Sequence, residues 1–223
     1  MSYRFDFGYI LANGPALLEG LGMTVLVSVI SIALAAAVGV VGAAVRVFRV
    51  PVLSQLFGFY VEFIRNTPLL AQLFFIFYGL PSLGLGLSVY WSGVAALTVW
   101  GGAYNVENMR GGFLAVSKGM REASQSLGLR PLHYLWLVAI PLGLRVAIPA
   151  MLNTSVSVLK NSSYLQAIGF AELTFVAMER VATEFRTLEM FAAIGVLYLV
   201  LVLILSFAVR RLEFHLQRPF RTS

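Results

Sequence analysis

The chain contains no cysteine, which excludes a disulfide framework, a thiol nucleophile and a thiolate metal site. Charge is also scarce: 12% of its 223 residues are Asp, Glu, Lys or Arg, against about a quarter in a soluble domain. No charged residue lies between Glu19 and Arg46, nor between Arg65 and Glu107. A membrane span needs roughly 20 mostly apolar residues, so both stretches are long enough. The only lysines are Lys118 and Lys160, and neither follows glycine, so the Gly-Lys-Ser/Thr of a phosphate-binding loop is missing. His133 and His215 are the only histidines, no His-Glu-x-x-His occurs, and no carboxylate pair has catalytic surroundings. The chain is therefore expected to be no enzyme and to hold no metal or cofactor of its own. Residues 1–14 carry Arg4, Asp6 and several aromatics, not a basic segment ahead of an apolar core, which argues against a cleaved signal peptide. With no internal repeat and no low-complexity linker, residues 1–223 read as a single membrane domain with its core at about 15–214.

What the chain has is apolar length. Hydrophobic residues make up 59% of it and the mean hydropathy is +0.86. Five spans are read at about 15–45, 52–80, 88–116, 134–159 and 188–212. Runs this long are too long for barrel strands, so each is expected to be a helix. The net charge of +6 sits at span ends, which fits lipid headgroups and a positive-inside arrangement, not nucleic acid. Arg46, Arg49, Lys118, Arg121, Arg130, Arg210, Arg211, Arg218 and Arg221 fall on one side. That side is read as cytoplasmic, with the N-terminus outside and the C-terminus inside.

On the basic side lies a polar island, Arg121-Glu122-Ala123-Ser124-Gln125-Ser126-Leu127-Gly128. Met120, Ala123 and Leu127 share one helix face. Gly128 is placed to end the helix in the left-handed conformation, and Pro131 cannot continue it. A short helix over about 119–130 is expected, either lying on headgroups or docking a partner.

The order Glu122-Ala123-Ser124, three residues, Gly128, nine residues, Val138-Ala139-Ile140-Pro141 resembles the EAA loop of ABC importer permeases. Segments from Glu62 to Gln72, from Tyr104 to Gly112 and from Leu159 to Tyr164 are similar to the polar amino-acid branch of that family. Ser124 stands where the motif has Ala, and Leu142 where Gln is common. The resemblance implies an all-α type I ABC importer permease fold. It makes Arg121, Glu122, Ala123, Ser124, Leu127 and Gly128 the coupling helix, seated in a cleft of a separate ATPase subunit. That subunit, in two copies, would bind ATP and Mg. The resemblance also implies a second permease, identical or homologous, and a periplasmic or extracellular amino-acid-binding protein. The location implied is the bacterial inner membrane.

Polar residues inside spans must face protein or water. Glu62 with Arg65 and Glu107 with Arg110 are three apart and expected to pair, either pinning spans two and three or gating. Pro141 and Pro149 break span four, making it the expected path lining. Asn153 there either meets an amino-acid headgroup or bonds across helices. Asn66 and Thr67 in span two join the path set. Lys160, Asn161, Ser162 and Ser163 are placed at the outer end of span four, as a broken helix receiving a carboxylate or as an ordinary loop end. Residues 170–187 are read as an outer loop or short helix, either where a substrate-delivering protein lands or as a cluster of solvated charges. The resulting reading is a permease subunit for a polar amino acid. The rivals are an ion-coupled secondary transporter, which would usually show repeats, and a non-transporting scaffold.

Overall fold

The computed structural model describes residues 4–116 and 118–217, and among these there is no strand. Helix α1 (Phe7–Ala12) starts where the Asp6 carboxylate accepts the N–H groups of Gly8 and Tyr9, an N-cap. Helix α2 (Gly14–Val47) has Pro15 in its first turn, where a missing N–H costs nothing. Then come α3 (Leu53–Arg65) and α4 (Leu69–Phe74), which runs on as a π turn and a 3-10 turn to Leu83. Helix α5 (Val89–Ala115) is capped by Ser88. Two short helices follow, α6 (Lys118–Ser126) and α7 (Pro131–Tyr134). A π turn, Leu135–Ala139, leads into α8 (Ile140–Asn161), which continues as a 3-10 helix, Ser162–Ile168. Helices α9 (Leu173–Glu184) and α10 (Thr187–Gln217) complete the fold.

The centre is α5, packed between α2 and α8. Lipid supplies no hydrophobic drive between helices, so close backbone approach must hold them. The sequence provides it with small residues. Ser28, Ser31, Ala35, Gly39, Gly42 and Ala43 form the buried face of α2. Gly112 of α5 lies directly against the carbonyl of Gly143 in α8, so any Cβ there would push the two helices apart. Leu18, Leu26, Val29, Leu34 and Val41 point outward from α2, as lipid-facing residues do.

Among the described residues, three segments are long and apolar enough to cross a membrane: Gly14–Val47, Pro131–Ile168 and Thr187–Arg211. A fourth forms if α3 and the segment Leu69–Leu83, bent by 112°, count as one span. The expected continuous helix over 52–80 is thus replaced by a sharp break. Pro68 has no N–H to give Ile64. Gln72 Nε2 donates to the Ile64 carbonyl instead, at 2.9 Å, while Thr67 Oγ1 donates to Phe63 O and Asn66 Nδ2 to Glu62 O, each at 2.8 Å. Side chains thus take up the Phe63 and Ile64 carbonyls, while the Glu62 carbonyl also keeps the Asn66 backbone N–H at 3.2 Å.

Candidate functional site

Helix α6 is held by its own chain geometry. Gly128 has φ +72°, Leu129 N–H donates to Ser124 O at 3.1 Å and Gly128 N–H to Gln125 O at 2.9 Å. Those two bonds are the Schellman stop. A Cβ on Gly128 would touch nothing, so the left-handed backbone, not space, demands glycine there. Met120, Ala123 and Leu127 are exposed, Leu127 at 81%. Glu122 also faces outward, 3.4 Å from Lys118 Nζ. Ser124 is buried and donates to Met120 O. Arg121 and Gln125 turn to the bundle side, where they line a cavity of about 570 Å³ with Phe48 and Tyr134. The six expected coupling residues therefore divide: Glu122, Ala123 and Leu127 point out, Arg121 and Ser124 point in, and Gly128 ends the helix.

A second site lies where α3 meets α5. Arg46, Glu62, Arg65, Asn66, Tyr104, Glu107 and Arg110 line a cavity of about 510 Å³. Glu107 and Arg110 pair as expected from their spacing, with Arg110 Nη2 2.7 Å from Glu107 Oε2. Arg46 of α2 bonds the other oxygen of the same carboxylate, a partner that spacing along α5 could not reveal. The expected Glu62–Arg65 pair is not made. Arg65 is the last residue of α3, and its guanidinium instead lies over the Tyr104 ring, 5.1 Å from the centroid. A cation on a ring face gains by the ring quadrupole, and it leaves Glu62 open to the cavity. Asn66 lines this cavity, whereas Thr67 is turned into the helix break.

Asn153 is exposed on α8 and lines a smaller cavity, about 230 Å³, with Ser206 and Arg210 of α10. Its neighbour Thr154 faces the other way and receives a hydrogen bond from Asn108 Nδ2 at 2.9 Å. The structure does not bring Asn153 into the Arg65 cavity. Ala150, Asn153 and Lys160 are exposed and Ser157 half-buried, at spacings of three and four, one face of a helix. Lys160, Asn161, Ser162 and Ser163 do not lie beyond the end of the bundle. Val158 packs on Gly101, midway along α5, and Leu165 on Gly93. The segment is not broken either: the chain passes from α into 3-10 helix, with Ser162 and Ser163 hydroxyls donating to the Leu159 and Lys160 carbonyls at 2.7 and 2.8 Å.

The expected solvated charges of 170–187 also need correction. Glu172 has no exposed surface. Its oxygens accept the Thr174 and Phe175 N–H groups at 2.9 and 2.7 Å and the Tyr198 hydroxyl at 2.7 Å. Burial nonetheless holds its carboxyl above the usual range, the hydrogen bonds opposing only in part. Just beyond, Glu189 is equally buried and accepts from Asp6 N–H and Arg186. The available signal was local: an acidic residue just before an apolar helical run is an N-cap pattern. Among the described residues no cluster of His, Asp or Glu fit to hold a metal occurs.

Long apolar helices packed through small residues define a multi-pass membrane protein. A family model described as the binding-protein-dependent transport system inner membrane component matches residues 35–218, and the chain belongs to that family. It is 35% identical over 212 residues to the glutamine transport system permease protein GlnP of Escherichia coli (strain K12), covering 94% of this chain and 97% of that protein. The probable amino-acid ABC transporter permease protein PatM of Vibrio harveyi is 34% identical, with 91% and 92% covered. The crystal structure of an amino acid ABC transporter with histidines aligns at a TM-score of 0.85 and 30% identity, over 96% of this chain and 100% of that one. The methionine transporter MetNI, at 19% identity and a TM-score of 0.74 over 95% and 99%, shares the fold.

Proposed function

We propose that this chain is the permease subunit of an ATP-driven importer for a polar amino acid, and that α6 docks into a separate ATPase subunit. The observation that carries the reading is the helix itself. It is stopped by a Schellman turn at Gly128, offers Met120, Ala123, Glu122 and Leu127 outward, and belongs to a chain with no nucleotide-binding motif. The relatives named for amino-acid and glutamine transport support the substrate class. The single domain crosses the membrane five times. α5 is the fifth crossing: its 27 residues reach about 40 Å, and its polar groups Glu107 and Asn108 bond neighbouring helices. The arginine-bearing end is cytoplasmic and the N-terminus outside. A second permease, identical or related, closes the path, and an external binding protein delivers the substrate. Within the path, Arg65 and Asn66 at the break of span two and the exposed Asn153 and Lys160 on one face of α8 meet the amino acid. Glu107 with its two arginines holds α2 and α5 together.

Co-purification tests the docking. The chain should recover a nucleotide-binding subunit, and deletion of residues 122–128 should lose it. ATP-independent uptake by this chain alone would sink the reading. For the path, Asn153→Leu should weaken transport while leaving assembly with the ATPase intact. Unchanged transport kinetics would remove Asn153 from the path.

A further inference from the structure

Beneath α6, on the side away from its exposed face, lies a second opening. Arg46, Arg49, Arg110 and Arg121 line a cavity of about 810 Å³ between the α2–α3 loop, α5 and α6. Among the described residues, no acidic side chain lines it. Two of the four are already engaged, since Arg46 and Arg110 share Glu107. Arg49 and Arg121 are exposed and make no ion pair with a described residue. Two uncompensated guanidiniums aimed at one opening favour an anion with several oxygens.

The opening is continuous with an apolar one. Phe48, Val50 and Arg121 also line the cavity of about 570 Å³ whose other walls include Ala44, Val45, Leu132 and Leu135. Those walls belong to the ends of two membrane-crossing segments. Trp136 and Leu137, next along the chain, are 63% and 65% exposed, as residues at a lipid boundary are. A cationic pocket that opens into an apolar slot at headgroup level matches one ligand chemistry, a phosphate ester bearing an acyl chain. The loop between is held in an unfavourable shape. Val52, a β-branched residue, sits at φ +64°, ψ −54° with Leu53 N–H donating to Pro51 O at 2.7 Å, and Arg49 has φ +52°. Such backbone persists where the surroundings enforce it, and it often marks a site.

We infer that this double cavity is a binding site for one anionic phospholipid of the inner leaflet, with Arg49 and Arg121 on the phosphate and an acyl chain along Val45, Phe48 and Leu135. The inference rests on the proposed orientation, which puts these arginines at the cytoplasmic face. Because Arg121 belongs to α6, the lipid also fixes how the docking helix sits on the bundle.

The test is native mass spectrometry of the assembled transporter titrated with phosphatidylglycerol and with phosphatidylcholine of the same acyl chains. The wild type should hold one phosphatidylglycerol at least about tenfold more tightly, each arginine near a membrane surface contributing about 1 kcal/mol. R49Q/R121Q should lose that preference. K118Q removes one charge from the same helix outside the cavity and should keep it. Val45→Trp, which fills the apolar slot and leaves every charge in place, should lose the lipid as well, so the result does not hang on one variant. Equal binding of both lipids by the wild type overturns the inference, as does a preference that survives in R49Q/R121Q or vanishes in K118Q. Displacement by millimolar inorganic phosphate overturns it in favour of a free-anion site. Loss of the ATPase from R49Q/R121Q with lipid binding unchanged overturns it in favour of a protein partner. The orientation is read separately, by thiol labelling of Lys118→Cys in this cysteine-free chain. Labelling from outside defeats the orientation while leaving the lipid measurement to stand by itself.

Discussion

The two ends of the bundle handle charge in opposite ways. At the end where α9 packs on the start of α2, Glu172 and Glu189 are fully buried, and their oxygens are taken up by backbone N–H groups, Tyr198 and Arg186. At the end where α2 and α5 finish, Arg46 and Arg110 share Glu107, whereas Arg49 and Arg121 lie exposed at the same open cavity. Buried acids satisfied by their own chain are structural: they shape a loop and present nothing to a partner. Exposed guanidiniums around a cavity are available to something else. Proximity of charge to a span end therefore does not by itself identify an interaction surface; the division between satisfied and unsatisfied groups does.

The strongest way to break this comparison is at the closed end. Glu172→Leu strands two N–H groups and a tyrosine hydroxyl in a buried place, which should cost roughly 3 kcal/mol. The check is chemical denaturation of the reconstituted protein. A loss below the error of that measurement would falsify the structural role assigned to Glu172. The same residue sets a pH dependence. Its folded pKa is raised by burial, so its contribution is most favourable below the ordinary carboxylate pKa. That contribution is lost as pH rises through the raised folded value. Glu172→Gln should remove this slope, so that the stability of the wild type relative to the variant falls from pH 4 to pH 8. Parallel curves would defeat the assignment.

At the open end the next largest effect is expected at Gly128. Gly128→Val forces a β-branched residue to φ +72°, which costs about 1–2 kcal/mol and is felt only within α6. The chain should still insert, but ATP hydrolysis should run without uptake. Gly128→Asn tolerates that backbone better and should retain coupling. Equal uptake by all three proteins would remove the stop of α6 from the mechanism. Next in size, Val52→Gly should stabilise the chain by about 1 kcal/mol by relieving the positive φ, while loosening the loop under Arg49. A destabilised V52G would show that the Val52 side chain, 65% exposed, contributes more than its backbone costs.

How much of this was legible follows from which interactions are local. The stop of α6 was readable because Gly128, six residues after Glu122 and followed by Arg130-Pro131, is a statement about consecutive backbone. The Glu107–Arg110 pair was readable for the same reason. The break in span two was half-legible: Pro68 announces lost hydrogen bonding, but whether the helix bends gently or turns by 112° depends on Gln72 reaching back eight residues to Ile64. Arg46 on Glu107, Tyr104 under Arg65 and Tyr198 on Glu172 are contacts between distant segments, and no periodicity encodes them. The apolar run of span four stops near Leu159, short of the end of the helical segment, so Lys160 lies before that end. The helix continues past Asn161, since Ser162 and Ser163 cap their own turn.

The smallest expected effect on stability is the most discriminating for function. Lys118 and Glu122 form an exposed i, i+4 pair at 3.4 Å, with 90% and 61% of their side chains accessible. Such pairs contribute about 0.3–0.5 kcal/mol at most, so Lys118→Gln and Glu122→Gln should each leave the denaturation midpoint nearly unchanged. Their effects on coupling should differ. Glu122 shares the outward side of α6 with Ala123 and Leu127 and belongs to the Glu-Ala-Ser segment, whereas Lys118 stands one turn earlier at the start of the helix. Uptake driven by ATP should therefore drop in Glu122→Gln and persist in Lys118→Gln, although both break the same ion pair. If the two variants lose uptake equally, the pair itself matters and the docking face does not. If neither does, the outward face of α6 carries no contact that needs its charge, and the open end of the bundle would be as structural as the closed one.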